Sequence, residues 1–328
     1  MTGLMQIGPV PVMAENSILL PLLLGAAAVC VLLLAAFLIR SSYERRHFTV
    51  THYEVKSPKV TEEQDGYTIV MLADLHNNEF GPGNRKLTDA IKREAPDLVL
   101  IAGDAVTVKR GSDVDLESFR RLLEGLKEAD CPVYFTRGNH EDRLVKLPEV
   151  FPGIWGQMTT LLDRYGVIHI NNEQTVLPPK KGVKDGKGPV LASYEIPREG
   201  YRKIAKKNAV NEEMIRQAIG TPLSSSEEPP FVILSAHSPL FGEAYSDWGA
   251  DLTVSGHFHG GTIRLPFVGG LMTPQFHFFH GKERGMFLLK QAPDGPKYQI
   301  TSGGLGTHSI NLRFRNMSEL VVIRLKHN

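Results

Sequence analysis

Eight side chains capable of metal chemistry follow five separate apolar stretches of this sequence. They are Asp74, His76, Asp104, Asn139, His140, His237, His257 and His259. Carboxylate, amide and imidazole groups without sulfur suit divalent ions of borderline or hard character, such as manganese, iron or zinc. The set is large enough to hold two such ions. The residue types therefore predict a two-metal site, provided that the fold brings the five stretches together.

Taken one at a time, these motifs are weak indications of a site. A glycine followed by Asp104 or by Asn139 has the composition of an ordinary turn, and an isolated histidine such as His237 is more often structural. His257 and His259 are a stronger pair, because alternate residues of a strand point to the same side. Motifs of competing chemistries are missing from the sequence, namely HExxH, GxxxxGK(S/T), GxSxG, HxHxDH and a GxGxxG after a strand. The prediction depends on the five motifs together.

The five stretches belong to a set of seven apolar runs with the length and β-branched composition of strands. They cover residues 67–73, 98–102, 133–136, 167–170, 190–192, 231–236 and 252–254. Helical periodicity places one apolar face over residues 84–94 and another over 116–129. Alternating strands and helices predict a largely parallel sheet, in which ligands bind at the carboxyl ends of the strands. We therefore expect the metal-binding side chains at one edge of one sheet.

The C-terminal part has a different pattern. Short strands are predicted at residues 262–265, 285–290, 297–301 and 319–325. The Gly- and Pro-rich turns between them leave no room for helices, so this region is predicted to be antiparallel and to form a second sheet packed on the first. Residues 196–229 are predicted to be an insertion, with a helix over 201–219 followed by a loop. Its basic stretch 201–207 is favoured as a solvated helix face over a headgroup-binding one.

Residues 18–39 are predicted to cross a membrane. No charged residue occurs from Asn16 to Ile39, and the 22 residues of 18–39 make a helix of about 33 Å, enough for a hydrocarbon core of about 30 Å. A cleaved signal peptide is disfavoured because no Lys or Arg precedes the stretch and no A-x-A site follows it. The Arg-rich stretch 40–46 follows at once, so the positive-inside rule favours the cytoplasmic side for the C-terminal part over the extracytoplasmic side.

These patterns divide the chain into a short flank (1–17), a membrane-spanning helix (18–39), a juxtamembrane approach segment (40–66) and one domain (67–328). The 37 Lys and Arg residues nearly balance the 36 Asp and Glu residues, which disfavours a nucleic-acid partner. A hydrophobic content of 42% excludes disorder as the main state. The two cysteines are too few for a disulfide framework or a Cys-based zinc site. The oligomeric state is left open.

Taken in chain order, the motifs DLH, GD, GNHE, a single histidine after a strand and GHFH resemble those of the calcineurin-like metallophosphoesterases. The resemblance extends over about residues 67–328. The stretches ADLHNNEFG, SGHFHGGTIRLP and SGGLGTHSINLRFRNMSELVVI are similar to those of a bacterial branch with one N-terminal membrane anchor. The resemblance implies an α/β fold of four layers, αββα, in which two mixed β-sheets pack together between helices.

The resemblance also implies a role for each candidate residue. One metal is held by Asp74, His76 and His259, the other by Asn139, His237 and His257, and Asp104 bridges the two. The cofactors are two divalent ions, with Mn²⁺ as the first choice and Fe, Zn or Ni as alternatives. Two such ions about 3.5–4 Å apart lower the pKa of a shared water and clamp the phosphate oxygens. His140 is assigned to stabilising the transition state and protonating the leaving oxygen.

The implied activity is hydrolysis of a phosphodiester or pyrophosphate bond at the cell membrane. A lipid-linked substrate such as UDP-diacylglucosamine is the first choice. A tethered nucleotide or general phosphodiesterase and a metal-binding scaffold without turnover are the alternatives. Phosphoprotein substrates are disfavoured, because the GDxxDRG motif of the related protein phosphatases is replaced by GDAVTVK at residues 103–109.

Four further residues beside the motifs are candidates for supporting roles. Asn77 and Arg137 are placed to contact phosphate, although a loop hydrogen bond and a surface charge are the favoured interpretations. Glu141 either orients His140 or is a surface residue. Thr262 stands where the anchored branch commonly has Gln, and we expect it at the rim of the site.

Overall fold

Strands that are apolar on both faces form two six-stranded sheets in this protein, and helices cover the outer face of each sheet. The computed structural model describes residues 16–184, 186–203, 208–223, 229–307 and 310–328. The helices are α1 (Asn16–Arg46), α2 (Arg85–Arg93), α3 (Glu117–Leu126), α4 (Asn139–Lys146), α5 (Ile154–Arg164), α6 (Glu212–Ile219) and α7 (Gly242–Trp248). The strands are β1 (Phe48–Ser57), β2 (Thr68–Leu72), β3 (Leu98–Ala102), β4 (Val133–Thr136), β5 (Ile168–His169), β6 (Glu173–Val176), β7 (Val190–Ser193), β8 (Val232–Ser235), β9 (Leu252–Ser255), β10 (Arg264–Leu265), β11 (Gly269–Gly270), β12 (Gly285–Ala292), β13 (Gly295–Thr301) and β14 (Ser318–His327).

Both sheets are mixed. The first has the strand order β1-β14-β2-β3-β4-β5, and the second has the order β12-β13-β9-β8-β7-β6. Strands β2 to β5 are parallel to one another, and so are β13, β9, β8 and β7. The short strands β10 and β11 form a separate hairpin. The prediction of two packed mixed sheets flanked by helices is confirmed.

The side chains of each central strand divide between two hydrophobic layers. Ile69 of β2 packs with Ile233 of β8 between the sheets, whereas Val70 of β2 faces outward toward α2 and α3. On the other side of the molecule, Leu234 of β8 packs with α6 and α7. Because both faces of these strands are buried, their sequences are continuously apolar instead of alternating. Each fully buried Ile or Leu contributes about 1.5–3 kcal/mol of transfer free energy.

The strands at the two ends of the domain sequence have different partners from those that were predicted. The C-terminal strand β14 lies inside the first sheet, where it is antiparallel to β2 and parallel to β1. Residues 48–57, which the sequence placed in an approach segment before the domain, form the edge strand β1. The second sheet is therefore built mainly from β6 to β9, and only β12 and β13 come from the C-terminal part. Alternation within β1 and β14 indicates a strand but does not specify its partner, because pairing between segments some 270 residues apart is decided by tertiary packing.

Helix α1 continues beyond the apolar stretch to Arg46 and is attached to the domain at its C-terminal end. The backbone N–H groups of Arg313 and Asn316 donate to Ser41 Oγ and Glu44 Oε2, at 3.1 and 2.8 Å. Residues 19–36 are exposed. The helix from Leu19 to Arg46 is long and apolar enough to cross a membrane.

The predicted insertion contains a shorter helix than expected. Helix α6 begins at Glu212, after Asn211 Oδ1 accepts a hydrogen bond from the backbone N–H of Met214 at 2.9 Å. Asn followed by two acidic residues is a helix start signal, and it marks the true beginning of the helix. Residues 204–207 and 224–228 lie outside the described residues. The predicted helical face over 201–207 therefore lies partly outside them as well.

Candidate metal centre

The candidate ligands gather where the carboxyl ends of strands from both sheets meet. Asp74, Asp104 and Asn139 follow β2, β3 and β4 of the first sheet. His237 follows β8 of the second sheet, and the pair at positions 257 and 259 follows β9. The expectation of one edge of one sheet is wrong. The site is shared, because the parallel central strands of both sheets end on the same side of the sandwich.

Three groups of side chains could each hold a metal ion. Within each group the ligand atoms lie within 4.8 Å of one another, and all of the side chains are buried. The groups are Asp74, His76 and His259; Asp104, His237 and His257; and His76, Asp104 and His140. The first two groups correspond to the two predicted metal sites without Asn139. The third overlaps both, since it contains His76 of the first group and Asp104 of the second, and it brings His140 beside the ligands.

The distances between these donor atoms match those expected around bound metals. Asp104 Oδ2 lies 3.2 Å from His237 Nε2 and 3.6 Å from His76 Nε2, and Asp74 Oδ1 lies 3.6 Å from His259 Nε2. Two ligand atoms that each lie about 2.1 Å from one ion are separated by about 3–3.5 Å. Asp104 Oδ2 lies close to a histidine of each of the first two groups, which is where a ligand shared by two ions would have to lie.

The outer nitrogens of two histidines are engaged in the way that metal-binding histidines usually are. His237 Nδ1 lies 2.9 Å from the carbonyl oxygen of Ala102, and His259 Nδ1 lies 3.0 Å from that of Gly306. An N–H donated to a carbonyl fixes the tautomer and directs the Nε2 lone pair inward. Asn139 Oδ1 is also buried, and it has no hydrogen-bond partner among the described residues. This donor set fits divalent metals.

The electrostatics of the site require positive charge. Burial lowers the pKa of His237, but the Asp104 and Asp74 carboxylates outweigh this effect and raise the pKa to about 10. Burial raises the pKa of Asp74 to about 7, against the opposing influence of His237. Burial also acts to raise the pKa of Asp104, yet the histidines led by His237 hold it well below its usual range. Two buried carboxylates this close together favour a neighbouring cation, and divalent ions held by these ligands would supply that charge.

The ligands themselves occupy a strained backbone conformation. Five of the seven have φ between 47° and 65°, namely Asp74, His76, Asp104, His257 and His259. Such left-handed conformations in non-glycine residues cost about 1–3 kcal/mol each and concentrate at functional sites. His257 and His259 therefore do not continue strand β9, and they enter different ligand groups. The argument that strand alternation points them to the same side is wrong.

Glu141 holds the loops after β3 and β4 together. Its buried carboxylate accepts hydrogen bonds from the backbone N–H groups of Asp104 at 2.8 Å, Gly138 at 2.9 Å and Val106 at 3.3 Å. The two loops approach so closely that a Cβ at Gly138 would lie 2.3 Å from Asp104 Oδ1. Glu141 is thus not a surface residue. It positions the loop that carries Asp104.

We expect Glu141→Gln to weaken both the fold and metal binding. The amide offers one acceptor oxygen to three N–H donors and places its own N–H₂ group against them, so the free energy of unfolding should fall by about 1–3 kcal/mol. Metal affinity should fall by about 10–100-fold, as is typical when a group that supports a ligand is lost. Denaturant unfolding and metal titration measure the two effects. Glu128→Gln, on an exposed helix end, is the matched control. Equal stability and equal metal affinity of the two variants would contradict the role of Glu141 in holding the two loops together.

The His140 ring has a defined tautomer. The backbone N–H of Val108 donates to His140 Nδ1 at 2.7 Å, so the neutral ring carries its proton on Nε2. The ring centroid lies 4.6 Å from that of His76, and the backbone N–H of His140 donates to Asp104 Oδ1 at 2.8 Å. A neutral imidazole is a good hydrogen-bond donor but a very weak acid. The geometry therefore favours charge stabilisation over protonation of the leaving oxygen.

The two candidate phosphate contacts are structural. Asn77 Nδ2 donates to the carbonyl oxygen of Asp115 at 2.5 Å, and its Oδ1 accepts from the N–H of Thr107 at 2.6 Å. Arg137 forms a buried ion pair with Glu195 and lies over the Trp155 ring. Asn77 thus makes the loop hydrogen bonds that the favoured interpretation expected, whereas Arg137 is buried and paired and is not a surface charge.

Two cavities open beside the ligands. One, of about 520 Å³, borders Asn139 and has five basic side chains in its wall, together with Asp142, Leu147 and Tyr201, whose ring lies 5.1 Å from that of His257. The five are Arg110, Arg143, Lys146, Arg198 and Arg202, and we call this the basic cavity. The other, of about 310 Å³, borders His259 and Thr262 and is mainly apolar, with Met272, Phe276 and others in its wall. The sequence analysis missed both cavities, because their residues are scattered over the chain.

The fold and the ligand set together define a metal-dependent phosphoesterase of the two-sheet sandwich class. Residues 67–261 match the calcineurin-like phosphoesterase family, and the chain belongs to this family. It is a hydrolase, and members of this family use divalent metal ions. Asp74, His76, Asp104 and the other candidate ligands up to His259 all lie within the matched residues.

Several proteins are similar to this chain. The metallophosphoesterase YkuE of Bacillus subtilis is 22% identical over 291 residues, which cover 84% of this chain and 85% of the relative. Phosphodiesterase YaeI of Escherichia coli is 29% identical over 264 residues, which cover 79% and 82%. Among solved structures, TT1561 of Thermus thermophilus is 10% identical and covers 73% of this chain and 90% of its own, with a TM-score of 0.42.

Proposed function

We propose that this protein is a membrane-anchored phosphoesterase with two divalent metals, which hydrolyses a phosphodiester or pyrophosphate bond in a lipid-linked substrate such as UDP-diacylglucosamine. The observation that carries the proposal is the position of the candidate metal centre between a basic cavity and an apolar cavity. A substrate with an anionic polar half and an acyl half fits such a pair of cavities. The name of the relative YaeI, a phosphodiesterase, supports the type of bond.

Each ligand has a role in this proposal. Asp74, His76 and His259 hold one ion, Asn139, His237 and His257 hold the other, and Asp104 holds both. When bound, the two ions supply Lewis-acid charge for the phosphate oxygens and an activated water, with Mn²⁺ as the first choice and Fe, Zn or Ni as alternatives. The His140 Nε2–H donates a hydrogen bond to a phosphate oxygen as negative charge develops there. The cations of the basic cavity orient the polar half of the substrate.

The first experiment separates an enzyme from a scaffold. Full-length protein in detergent is loaded with Mn²⁺ and assayed on bis-p-nitrophenyl and mono-p-nitrophenyl phosphate. Faster turnover of the diester, abolished by a chelator, supports a phosphodiesterase. Faster turnover of the monoester would overturn the proposed bond type, and bound metal without hydrolysis of either ester would mean a metal-binding scaffold.

The second experiment separates a lipid-linked substrate from a general one. A nucleoside diphosphate sugar with acyl chains is compared with the same compound without them. Burial of even a few methylene groups in an apolar cavity favours the acylated compound by at least about tenfold in kcat/KM. Equal values would favour the alternative, a nucleotide or general phosphodiesterase that is merely tethered to the membrane.

We expect Arg198→Ala to raise KM for a nucleotide-linked pyrophosphate by about tenfold, which corresponds to loss of about one charge-assisted hydrogen bond. Arg198 is exposed in the wall of the basic cavity beside Tyr201, so the change should leave kcat on bis-p-nitrophenyl phosphate nearly unchanged. Steady-state kinetics on both substrates give the comparison. Arg164→Ala on helix α5 is the control, and a KM that rises equally in both variants would remove the basic cavity from the substrate path.

We expect a reporter fused after residue 328 to behave as cytoplasmic. The arginines of 40–46 follow the apolar stretch directly, and such charge is retained on the cytoplasmic side. Reporter activity or protease protection in intact cells measures the orientation. An extracytoplasmic reporter would reverse the proposed side, and release of the domain into the soluble fraction would mean a cleaved signal sequence instead of an anchor.

A further inference from the structure

An exposed aromatic surface lies next to the helix that we propose as the membrane anchor. We call residues 264–279 the aromatic loop: it contains the hairpin of β10 and β11 and the turn that follows. Its exposed apolar side chains are Leu265, Phe267, Val268, Phe276, Phe278 and Phe279. Phe267, at the tip of the hairpin, is fully exposed. So large an apolar patch on a soluble face would favour association with another surface.

The loop is held in a defined shape. Strands β10 and β11 pair from Arg264 to Gly270, and Met272 forms an antiparallel bridge with Phe278. The backbone N–H of Phe279 donates to the carbonyl oxygen of Leu271 at 3.3 Å. The aromatic side chains are therefore presented to the outside by a paired backbone.

The contacts between helix α1 and residues 311–314 show where the loop starts. Arg45 Nη1 donates to Asn311 Oδ1 at 2.9 Å, and the rings of Phe37 and Phe314 lie with their centroids 4.7 Å apart. Residues 311–314 thus advance from Arg45 to Phe37, about 12 Å along the helix axis toward the apolar stretch. The first charged residue after that stretch is Arg40, so Phe37 and Phe314 lie at the level of the membrane surface.

Strand β10 begins beside Phe314. Ile263 forms a parallel bridge with Phe314, and the N–H of Arg264 donates to the Phe314 carbonyl oxygen at 3.0 Å. The hairpin then extends from Ile263 to Phe267, which is up to about 13 Å of further reach at strand spacing. The hairpin therefore starts next to the residue that contacts Phe37, and its tip lies within reach of the membrane surface.

The charges around the loop fit an anionic lipid surface. The Lys203 ammonium lies 4.6 Å from the centroid of the Phe276 ring in the loop, and on α1 itself the Arg40 guanidinium lies 6.0 Å from that of Tyr43. Basic groups beside aromatic rings are typical of protein surfaces that contact lipid headgroups.

We infer that the aromatic loop is a second membrane contact, which inserts Phe267 and its neighbours into the lipid interface beside the anchor. This inference rests on the proposed function in one respect, namely that α1 crosses the bilayer. Phe276 also forms part of the wall of the apolar cavity next to His259. Insertion of the loop therefore opens that cavity at the membrane surface, where a lipid-linked phosphate enters without leaving the bilayer.

The test is fluorescence quenching by lipid. Full-length Phe267→Trp is reconstituted into vesicles of phosphatidylcholine and phosphatidylglycerol, with and without bromine on the acyl chains, and the signal of the parent protein with its Trp155 and Trp248 is subtracted. Because interfacial aromatic groups lie about 5–10 Å into the headgroup and acyl boundary, the added emission should be blue-shifted and reduced by at least about half by brominated chains.

The matched control is Val176→Trp. Val176 is exposed to about the same extent as Val268 but pairs with Val190 at the start of β7, at the end of the sheet opposite the metal centre. Val268→Trp is a second probe of the hairpin if the first variant does not fold. Quenching of the hairpin variants no stronger than that of Val176→Trp would overturn the inference. Shielding of the hairpin from both bromine and aqueous iodide would also overturn it, because the patch would then be covered by protein, such as a second copy of the chain.

Flotation of the parent protein with the same vesicles separates this inference from the proposed function. Protein that floats without quenching at position 267 keeps its anchor but lacks the second contact. Protein that does not float has no anchor, and both proposals fail. Hydrolysis of bis-p-nitrophenyl phosphate in the same samples reports the enzymatic part of the proposed function independently of either result.

Discussion

We expect Asp104→Asn to lose bound metal and at least about 10³-fold in kcat/KM on a phosphodiester, since two-metal stabilisation supplies several kcal/mol of the barrier reduction. Asp104 Oδ2 is the donor atom placed between His237 and His76, so an amide at this position removes the charge shared by both ions. Elemental analysis should find close to two metals per chain in the parent protein and fewer in the variant. Kinetics with Mn²⁺ in excess measure the loss of activity.

Asp163→Asn is the matched control, because it makes the same chemical change on the exposed face of helix α5. It should retain both metals and full activity. One metal or none in the reconstituted parent protein would contradict the two-metal assignment. Full metal content in Asp104→Asn would show that Asp104 is not the bridging ligand.

The second large effect is expected for His140→Ala. The variant should retain both metals and lose about 10²–10³-fold in kcat, as is typical when a hydrogen bond to developing negative charge is removed. The loss should be similar for a nitrophenyl diester and an alkyl diester. Val108 N–H occupies Nδ1, and the neutral ring therefore stabilises charge without transferring a proton to the leaving oxygen. The ratio of the two rate losses is the measured quantity.

A much larger loss on the alkyl ester would restore the role predicted from the sequence, in which His140 protonates a poor leaving group. Loss of metal would mean that His140 is a ligand. His52→Ala is the control, since His52 is an exposed histidine of the edge strand β1, where it pairs with Glu94. His257→Ala should fail on both esters with loss of metal, which separates a ligand from a charge-stabilising residue.

The elements around the site were predictable from local patterns. Strands β3 and β4 have the bounds that the apolar runs indicated, and α2 and α3 lie within the predicted helical stretches. The strands are recognisable because burial on two faces gives a strand a continuous apolar run. The helices are recognisable because burial on one face gives a helix its 3.6-residue period. The partner of β14 was not predictable, because an apolar strand of this length fits equally well beside several others.

The candidate site was predictable in its residue types but not in its construction. Asp74 and His257 stand out in the sequence because they follow apolar strands. Their left-handed backbone conformations do not stand out, since only the surrounding structure holds non-glycine residues there. The role of Glu141 was equally hidden, because its three N–H partners belong to two loops that meet only in the folded chain.

Chemistry that belongs to single side chains was determined by the sequence alone: the oxygen and nitrogen donors, the long uncharged stretch and the α/β pattern are properties of residues and their near neighbours. The tertiary structure decided everything that depends on distance between remote segments. It joined ligands from two sheets into one site, made Val108 the partner that fixes the His140 tautomer, and set the start of the aromatic loop beside Phe314. Such contacts form because burial of the two sheets against each other stabilises one arrangement of the whole chain, and no local pattern records that arrangement.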